Sequence, residues 1–495
     1  MKTKLFFVAL LTIALMSFCS CADTEDKDTD GTESDSTVSS SDSSENKEDV
    51  LEIPLEYDFE GQTVNILVSG NYANDDFNGD ITSPDIVMQN QYKRNVEVEE
   101  QYKVKIEVDN KIAFGSQKTG SGPAFSAFQL MYTSQSYDYD FATIGTYNAG
   151  SCAYNGYLTD LNSLPNIDLS KSWWSQSANG QLEINGKMYF TTGDITLADN
   201  KVTHLIVFNK DLLSSKGLES PYDAVKNGKW TWDYFSDQVK KISVDLNGYD
   251  VMNEKDMYGC MTWADAYAAA VASAGSQIAG INDNGELTLT LMSDRTTTIV
   301  EKYAQMIFDT NTCFDYQYGY ASSTWDTNRY GMFSGGQVAY YLASAVLPGA
   351  MREYDVNFGI IPYPKLDEEQ EEYYSLAAAY HNQYIGVPYF VEDPERTGML
   401  LEILAYKGKE YVTPAFYEKQ LVGAYIRDDE SEQMLDIIYK NVVFDPGLIY
   451  RISGMADTFN SVRTQRTNVF ASQYESAKET AQKDIDAINA LFAQE

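Results

Sequence analysis

Apolar residues recur along most of the chain with the periods of short buried strands and amphipathic helices. Residues 62–68 alternate and then run together before a polar loop, which predicts a strand that ends in a loop. Residues 88–102 have a helical pattern, whereas 104–108 and 139–144 have strand patterns. Strands that alternate with helices favour an open α/β sheet, in which ligands bind beyond the carboxyl ends of the strands.

A second α/β pattern follows the first. A strand is predicted over 203–208, and Thr231 is expected to cap a helix that carries Asp233 in its first turn. Further strands are predicted over 337–340 and 357–361.

The remainder of the chain has helical patterns. Asp393-Pro394 is expected to begin a helix that Gly408 ends, and an amphipathic helix is predicted over 472–492. The sequence has no internal repeat of fixed period, which argues against a solenoid or a propeller.

The N-terminus has the features of an export signal. Two lysines precede an apolar run over 5–18, which is too short to span a membrane comfortably. Cys21 follows a small residue, as in a bacterial lipobox, so we expect residues 1–20 to be removed and Cys21 to carry the lipid. Two alternatives stay open: lipidation at Cys19, or a plain signal peptide that leaves Cys21 unmodified.

The segment that follows is strongly acidic. Residues 22–56 contain thirteen acidic side chains against two lysines and no aromatic side chain. Such a segment cannot bury enough apolar surface to fold, so we expect 21–56 to be a disordered tether. The remaining body, about 440 residues, is long enough for two lobes.

Composition narrows the classes of partner. A formal net charge of -37 argues against nucleic acid and anionic membrane surfaces, which are bound by Lys and Arg. The 37 tyrosines suit either a large polar-ligand cleft or a large α/β interior. An odd number of body cysteines, Cys152, Cys260 and Cys313, favours buried free thiols, although a bond between the last two stays open.

Several spaced motifs carry a resemblance to one family. They are Gly156-Tyr-Leu-Thr-Asp-Leu161, Trp173-Trp174, Asn185-Gly-Lys-Met-Tyr189, the segment 208–223 with Gly228-Lys-Trp-Thr-Trp-Asp233, Met332-Phe-Ser-Gly-Gly-Gln-Val-Ala339 and Phe358-Gly-Ile-Ile-Pro-Tyr-Pro364. In this order they resemble family 1 extracellular solute-binding proteins, the receptors of carbohydrate-type ABC importers. The insertion at 226–228 and the acidic tether depart from the maltose-type members, so no ligand is carried over.

The resemblance implies a type II periplasmic-binding-protein-like α/β fold. Its first lobe would hold 57–202 and 373–412, and its second lobe 203–372 and 413–495, joined by crossing hinge strands. It further implies a monomeric binding protein, without enzymatic activity, cofactor or metal, that delivers a carbohydrate to ABC permease subunits. The protein would lie on the extracellular face of the cell membrane and contact the membrane only through its lipid.

Candidate ligand-binding residues combine aromatic faces with hydrogen-bonding groups, as sugars require. Those placed by the resemblance or by loop position are Trp263, Tyr267, Trp325, Asp326, Asn328, Tyr380, His381, Tyr72, Tyr147 and Asp194. Core packing is the competing interpretation for each tryptophan, and more strongly so for Trp230, Trp232 and the 173–174 pair.

Two other functions stay open. A secreted glycoside hydrolase needs only two suitably spaced carboxylates, and the chain has 73 acidic residues. A surface adhesion protein would have a flat binding face instead of a closing cleft. With only His204 and His381 in the chain, a serine triad or zinc site has little support, and no matching motif is present.

Overall fold

The computed structural model describes residues 50–70, 74–111, 121–417 and 429–494. Within these ranges the strands are β1 (Thr63–Val68), β2 (Lys105–Asn110), β3 (Phe141–Gly145), β4 (His204–Asn209), β5 (Tyr258–Thr262), β6 (Ala279–Ile281), β7 (Leu287–Leu289), β8 (Cys313–Asp315), β9 (Val338–Ser344), β10 (Phe358–Ile361), β11 (Ser375–Leu376), β12 (Gln383–Gly386) and β13 (Val442–Val443).

The helices surround these strands. They are α1 (Asn74–Phe77), α2 (Ile86–Tyr102), α3 (Pro123–Ser134), α4 (Thr146–Tyr154), α5 (Gln176–Leu182), α6 (Ala198–Val202), α7 (Lys210–Ser215), α8 (Tyr222–Lys226), α9 (Trp232–Lys240), α10 (Ala266–Ser273), α11 (Asp294–Phe308), α12 (Met332–Ser334), α13 (Val346–Ala350), α14 (Pro394–Pro414), α15 (Asp429–Lys440), α16 (Pro446–Ile449), α17 (Met455–Gln465) and α18 (Phe470–Phe492).

Two mixed sheets form the centres of the fold. The first has the order β12-β3-β1-β2, in which β1 is parallel to β2 and β3, and β12 is antiparallel to β3. The second has the order β10-β4-β9-β5-β8, in which β5 is parallel to β8 and β9, and β4 is antiparallel to β9. The strands predicted from apolar runs are therefore present, and they form two α/β sheets, as predicted.

Neighbouring chain segments connect the two sheets. Residues 202–203, the last residue of α6 and the one before β4, lie beside 377–378, between β11 and β12. The Ala378 amide donates to the Val202 carbonyl at 3.2 Å, and Ala377 donates to Val443 at 3.0 Å. Because these crossing segments are hydrogen-bonded to one another, they form one hinge between the sheets.

Local capping signals explain several helix ends. The Thr231 hydroxyl accepts from the Tyr234 amide at 3.3 Å and begins α9, as predicted. The Asp393 carboxylate accepts from the Arg396 amide at 3.1 Å, and Pro394 opens α14. The predicted end at Gly408 is wrong, because α14 continues to Pro414.

Gly408 permits close packing of α14 against a neighbouring loop. A Cβ atom there would lie 1.9 Å from the Asp194 carbonyl oxygen, so only glycine lets α14 approach this loop. Glycine both ends helices and allows close packing of neighbouring segments, so its position in the sequence alone does not distinguish these two roles.

Hydrophobic packing begins before residue 57. Ile53 lies in the core at 8% exposure, as does Phe59, although the sequence pattern placed Ile53 in the acidic tether.

Cys152, Cys260 and Cys313 are buried free thiols, and the last two lie opposite each other on β5 and β8. No helix in the described ranges has both the length and the apolar content needed to cross a membrane.

Candidate ligand-binding site

A cavity of about 1050 Å³ lies between the two sheets, beside the ends of their strands. From the second sheet, residues that follow β5, β8 and β9 form its wall, together with Val202 just before β4. From the first sheet and the hinge come Tyr147, after β3, and Tyr380 and His381, before β12. The cavity therefore lies beyond the carboxyl ends of strands, as the α/β pattern predicts.

Aromatic rings dominate the wall. They belong to Tyr147, Trp263, Tyr316, Trp325, Tyr330, Tyr341, Tyr380 and His381. Tyr380 and His381 pack edge to face, with centroids 4.8 Å apart, and Tyr316 and Trp325 do so at 6.4 Å. Such rings offer flat apolar faces beside hydroxyl, imidazole and indole polar atoms.

Charged side chains lie among the rings. Arg329 forms an ion pair with Asp326, and its guanidinium carbon lies 4.5 Å from the centroid of Tyr330 and 6.0 Å from that of Tyr316. Across the cavity, Arg451 lies 5.5 Å from the centroid of Tyr147. Both guanidinium groups are thus held over aromatic rings, an arrangement that fixes planar hydrogen-bond donors.

Carboxylates provide acceptors in the same cavity. Asp265 follows β5 and Asp457 lies in the first turn of α17, and both line the wall with Asp326. Burial raises the pKa of Tyr147 far above its ordinary value, and the negative charge of Asp265 raises it further. The Tyr147 hydroxyl is therefore a neutral donor and acceptor at physiological pH.

Trp263 connects the cavity to the hinge through the only two histidines of the chain. Its ring centroid lies 5.7 Å from that of His204 and 6.3 Å from that of His381. Its indole N–H is buried and has no protein partner among the described residues. Burial lowers the pKa of His204 to about 3 and that of His381 to about 4, so both rings are neutral at pH 7.

The indole of Trp325 is positioned differently. Its Nε1 donates to the Tyr320 carbonyl at 3.2 Å, which orients the ring, and the side chain is half-buried in the cavity wall. The ring is therefore fixed at one edge while part of its surface stays open.

The structure thus places Trp263, Trp325, Asp326, Tyr147, Tyr380 and His381 together in the cavity wall. Other candidates lie elsewhere. Tyr267 is 1% exposed in α10, donates to the Val300 carbonyl at 2.9 Å and stacks on Phe459, because α10 turns it into the core.

Asn328 and Asp194 also lie outside the cavity wall. Asn328 is buried behind it. Asp194 accepts a hydrogen bond from the Thr413 hydroxyl at 2.5 Å, and burial raises its pKa to about 6. It joins its loop to α14 and does not line the cavity. Tyr72 and Cys21 lie outside the described residues.

The remaining tryptophans are core residues. Trp230 Nε1 donates to the Pro362 carbonyl at 3.0 Å, Trp232 Nε1 to Ser273 at 3.1 Å and Trp174 Nε1 to Glu402 at 2.9 Å. Trp173 is 1% exposed and packs edge to face on Tyr406. Each ring is enclosed by protein, as the competing interpretation held for them.

Sequence reasoning missed several wall residues: Tyr316, Arg329, Tyr330, Tyr341, Arg451 and Asp457. Tyr316 follows β8, whose three residues are too few for a periodic signal. Arg329 lies in a five-residue π-helical segment and Arg451 in a turn, and both segments are too short for a periodic signal. The adjacent Trp325-Asp326 was the one local signal that pointed to this region.

Comparison with solved structures shows many chains of the same fold. An ABC substrate-binding protein from Listeria monocytogenes, in complex with cycloalternan, aligns with a TM-score of 0.54 and 15% identity over 88% of this chain and 100% of its own. This chain has the fold of ABC transporter solute-binding proteins, the predicted type II periplasmic-binding fold. Comparisons with protein-family models and with curated protein sequences found no match.

Two more proteins of this fold were solved with other bound molecules. The binding protein from B. animalis subsp. lactis Bl-04, in complex with β-1,6-galactobiose, has a TM-score of 0.51 and 13% identity over 85% of this chain and 98% of its own. UgpB from Mycobacterium tuberculosis, in complex with glycerophosphocholine, has a TM-score of 0.54 and 14% identity over 86% and 98%.

Proposed function

We propose that this protein is an extracellular solute-binding protein that captures a carbohydrate in the cavity and delivers it to an ABC permease. The observation that carries the proposal is the wall itself, where Tyr147 and Tyr380 meet Trp325, Arg329 and Asp265 in one cavity. Rings of this kind pack against the C–H faces of sugars, while carboxylates and guanidinium groups bind the hydroxyls. The sugar complexes of the proteins from Listeria monocytogenes and B. animalis support the same class of ligand.

An oligosaccharide fits better than a monosaccharide. Ligand pockets typically measure about 300–1000 Å³ for drug-sized ligands. At about 1050 Å³, this cavity is slightly larger than that range and is lined by rings from several segments. The partly exposed rings of Tyr147, Trp325 and Tyr380 can contact more than one sugar unit.

Delivery requires a closed form that a permease can distinguish. The wall draws on both sheets, and the hinge segments 202–203 and 377–378 lie between them. A ligand that contacts both sides binds the closed form more tightly, and this differential affinity shifts the equilibrium towards closure. We expect the protein to act as a monomer and without enzymatic turnover.

The anchor is part of the proposal. We propose that Cys21 is lipidated after removal of 1–20 and that the acidic tether holds the body at the extracellular face of the membrane. Metabolic labelling with a palmitate analogue tests this assignment. Label that persists in Cys19→Ala and disappears in Cys21→Ala supports it; label that follows Cys19, or no label at all, contradicts it.

A thermal-shift screen of the purified protein against mono- and oligosaccharides, with product analysis of each hit, tests the ligand class. A ligand at 100 times its dissociation constant adds about 2.7 kcal/mol of stability. We expect a shift with an intact oligosaccharide. Consumption of the sugar would indicate a glycoside hydrolase, and no shift across the panel would contradict the carbohydrate assignment and favour an adhesion role.

One tryptophan variant and one tyrosine control test whether the ligand binds in the cavity. Trp325→Ala removes a half-buried ring from the wall and should weaken binding at least tenfold, about 1.4 kcal/mol. Tyr249→Ala is the matched control, because Tyr249 is 74% exposed and lies outside the wall. Equal affinity in both variants would place the ligand elsewhere.

A further inference from the structure

A second cluster of aromatic rings lies on the surface of the first sheet. Tyr132 packs against Tyr157, Tyr389 and Phe390, with centroid separations of 5.3, 5.4 and 5.9 Å. Phe125 extends the cluster through Tyr157 at 5.5 Å. We call these five residues the aromatic patch.

The patch is exposed although its rings pack together. Tyr132 is 41% exposed although it contacts three rings, and Tyr389 is 53% exposed although it contacts two. Contiguous exposed apolar surface of this kind marks an interaction site more often than single exposed rings do.

The backbone holds the patch in a fixed shape. The Tyr389 amide donates to the Tyr157 carbonyl at 2.9 Å, and the Thr159 hydroxyl donates to the Pro388 carbonyl at 2.8 Å. Gln129 Nε2 donates to the Tyr157 hydroxyl at 3.3 Å. Little conformational entropy is therefore lost when a ligand contacts these rings.

The patch and the cavity lie at opposite ends of the first sheet. Tyr389 and Phe390 follow β12, whose last residue, Gly386, pairs with Ala142 near the start of β3. The cavity adjoins the other end of β3, where Gly145 pairs with Gln383. An occupant of the patch does not compete with a ligand in the cavity.

Charge selects among the possible occupants. The segments that build the patch, 123–134, 154–158 and 387–390, contain no charged residue, in a chain with a net charge of -37. An anionic polymer is repelled by the surrounding protein and finds no cation in these segments, and a second copy carries the same large negative charge. A neutral polymer is not repelled.

The chemistry of the rings favours a hydroxyl-rich polymer. Three of the five rings carry a hydroxyl, and Gln129 on α3 adds an amide that donates to one of them, on Tyr157. Tyrosine presents an apolar face and a polar edge together, which matches the alternating C–H and hydroxyl surfaces of a sugar chain.

We propose that the aromatic patch is a second carbohydrate-binding site, which takes a neutral polysaccharide chain. The planes of Tyr157, Tyr389 and Phe390 are inclined to that of Tyr132 by 36–67°. Inclined rings suit the successive sugar units of a twisted chain better than they suit a single flat ligand. Such a site would hold the protein near a polymer from which shorter sugars are released.

Affinity electrophoresis of the purified full-length protein tests the proposal. Native gels would contain starch, mannan, xylan or a β-glucan, with polygalacturonate as the anionic comparison. We expect at least one neutral polysaccharide to retard the protein and polygalacturonate to leave its migration unchanged. Tyr132→Ala combined with Tyr389→Ala should lower the affinity at least tenfold, while Tyr249→Ala should not change it.

Further variants separate the two sites. Trp325→Ala, in the cavity wall, should keep full retardation, so failure of the proposed cavity function does not affect this result. Tyr389→Ala alone is a control in case the double variant misfolds. The circular dichroism and thermal unfolding of this single variant should match those of the wild type. Absence of retardation in every neutral gel, equal retardation of the double variant, or Tyr132-dependent self-association in sedimentation would each overturn the proposal.

Discussion

The indole of Trp263 stacks on the imidazole of His204, with ring centroids 5.7 Å apart and an interplanar angle of 25°. His204 begins β4 directly after the hinge segment 202–203, whereas Trp263 lines the cavity. This contact joins the wall of the cavity to the hinge. Trp263 therefore contributes both to packing and to the surface that a ligand meets.

Two substitutions of Trp263 should separate these contributions. Trp263→Phe keeps a ring against His204 but removes the buried indole N–H, so we expect affinity for the ligand to fall about tenfold and stability to fall by less than about 1.5 kcal/mol. Trp263→Ala should also cost about 3 kcal/mol of stability. Calorimetric titration and urea unfolding measure the two effects. Unchanged affinity in Trp263→Phe would assign Trp263 to the core alone.

His204 should make the protein less stable in acid. Burial, and secondarily the nearby His381, lower its pKa from 6.5 to about 3. Between these values the unfolded chain binds a proton that the folded chain does not, so this contribution to stability is complete above pH 6.5 and falls as the pH drops towards 3. The buried carboxyl groups act oppositely, since burial raises the pKa of Glu402 and of Asp199 to about 7.

A difference measurement isolates the histidine, because the carboxyl groups are the same in both proteins. Urea unfolding of the wild type and of His204→Phe would be compared from about pH 7 to about pH 4.5. The wild type should lose about 2 kcal/mol more than the variant over this range. Parallel pH profiles would show that His204 has no such depressed pKa.

Gly408 should tolerate no side chain. Gly408→Ala places a Cβ atom 1.9 Å from the Asp194 carbonyl, so we expect a loss of about 1–3 kcal/mol, despite the higher helix propensity of alanine. Gly180→Ala in α5 is the matched control, since a Cβ atom there meets no atom within 4 Å. Thermal unfolding should show Gly180→Ala unchanged or up to about 1 kcal/mol more stable. Equal effects would mean that α14 can shift without cost.

The buried pair of Arg463 and Asp315 should stabilise α17 against the second sheet. Arg463 Nε and Nη2 donate to the two carboxylate oxygens at 2.7 and 2.8 Å, and Asp315 is 5% exposed. Arg463→Met leaves a buried carboxylate without its cation and should cost about 3–5 kcal/mol, while the double variant with Asp315→Leu should recover most of this loss.

Ligand affinity extends this experiment to the cavity. Helix α17 carries Asp457, and Asp315 directly precedes Tyr316, so the pair positions two wall residues. Arg463→Met should therefore weaken ligand binding as well as stability. A single variant as stable as the wild type would contradict the assigned role of the pair.

Local signals in the sequence were sufficient for many elements. The apolar run of β1, the Thr231 cap of α9 and the amphipathic pattern of α18 each depend on neighbouring residues, so each is visible in a short window. β5 and β8 were not predicted, because a strand of three to five residues that is buried on both faces has no alternation.

The site depended on the tertiary structure. The resemblance to solute-binding proteins, and not a strand pattern, placed Trp263, Trp325 and Tyr380 near a ligand. It could not separate Trp263 from Tyr267, because only the turn into α10 directs one towards the cavity and the other into the core. Nor could the sequence show that Arg329 and Arg451 line one cavity, because residues far apart in the chain come together only when the whole chain has folded.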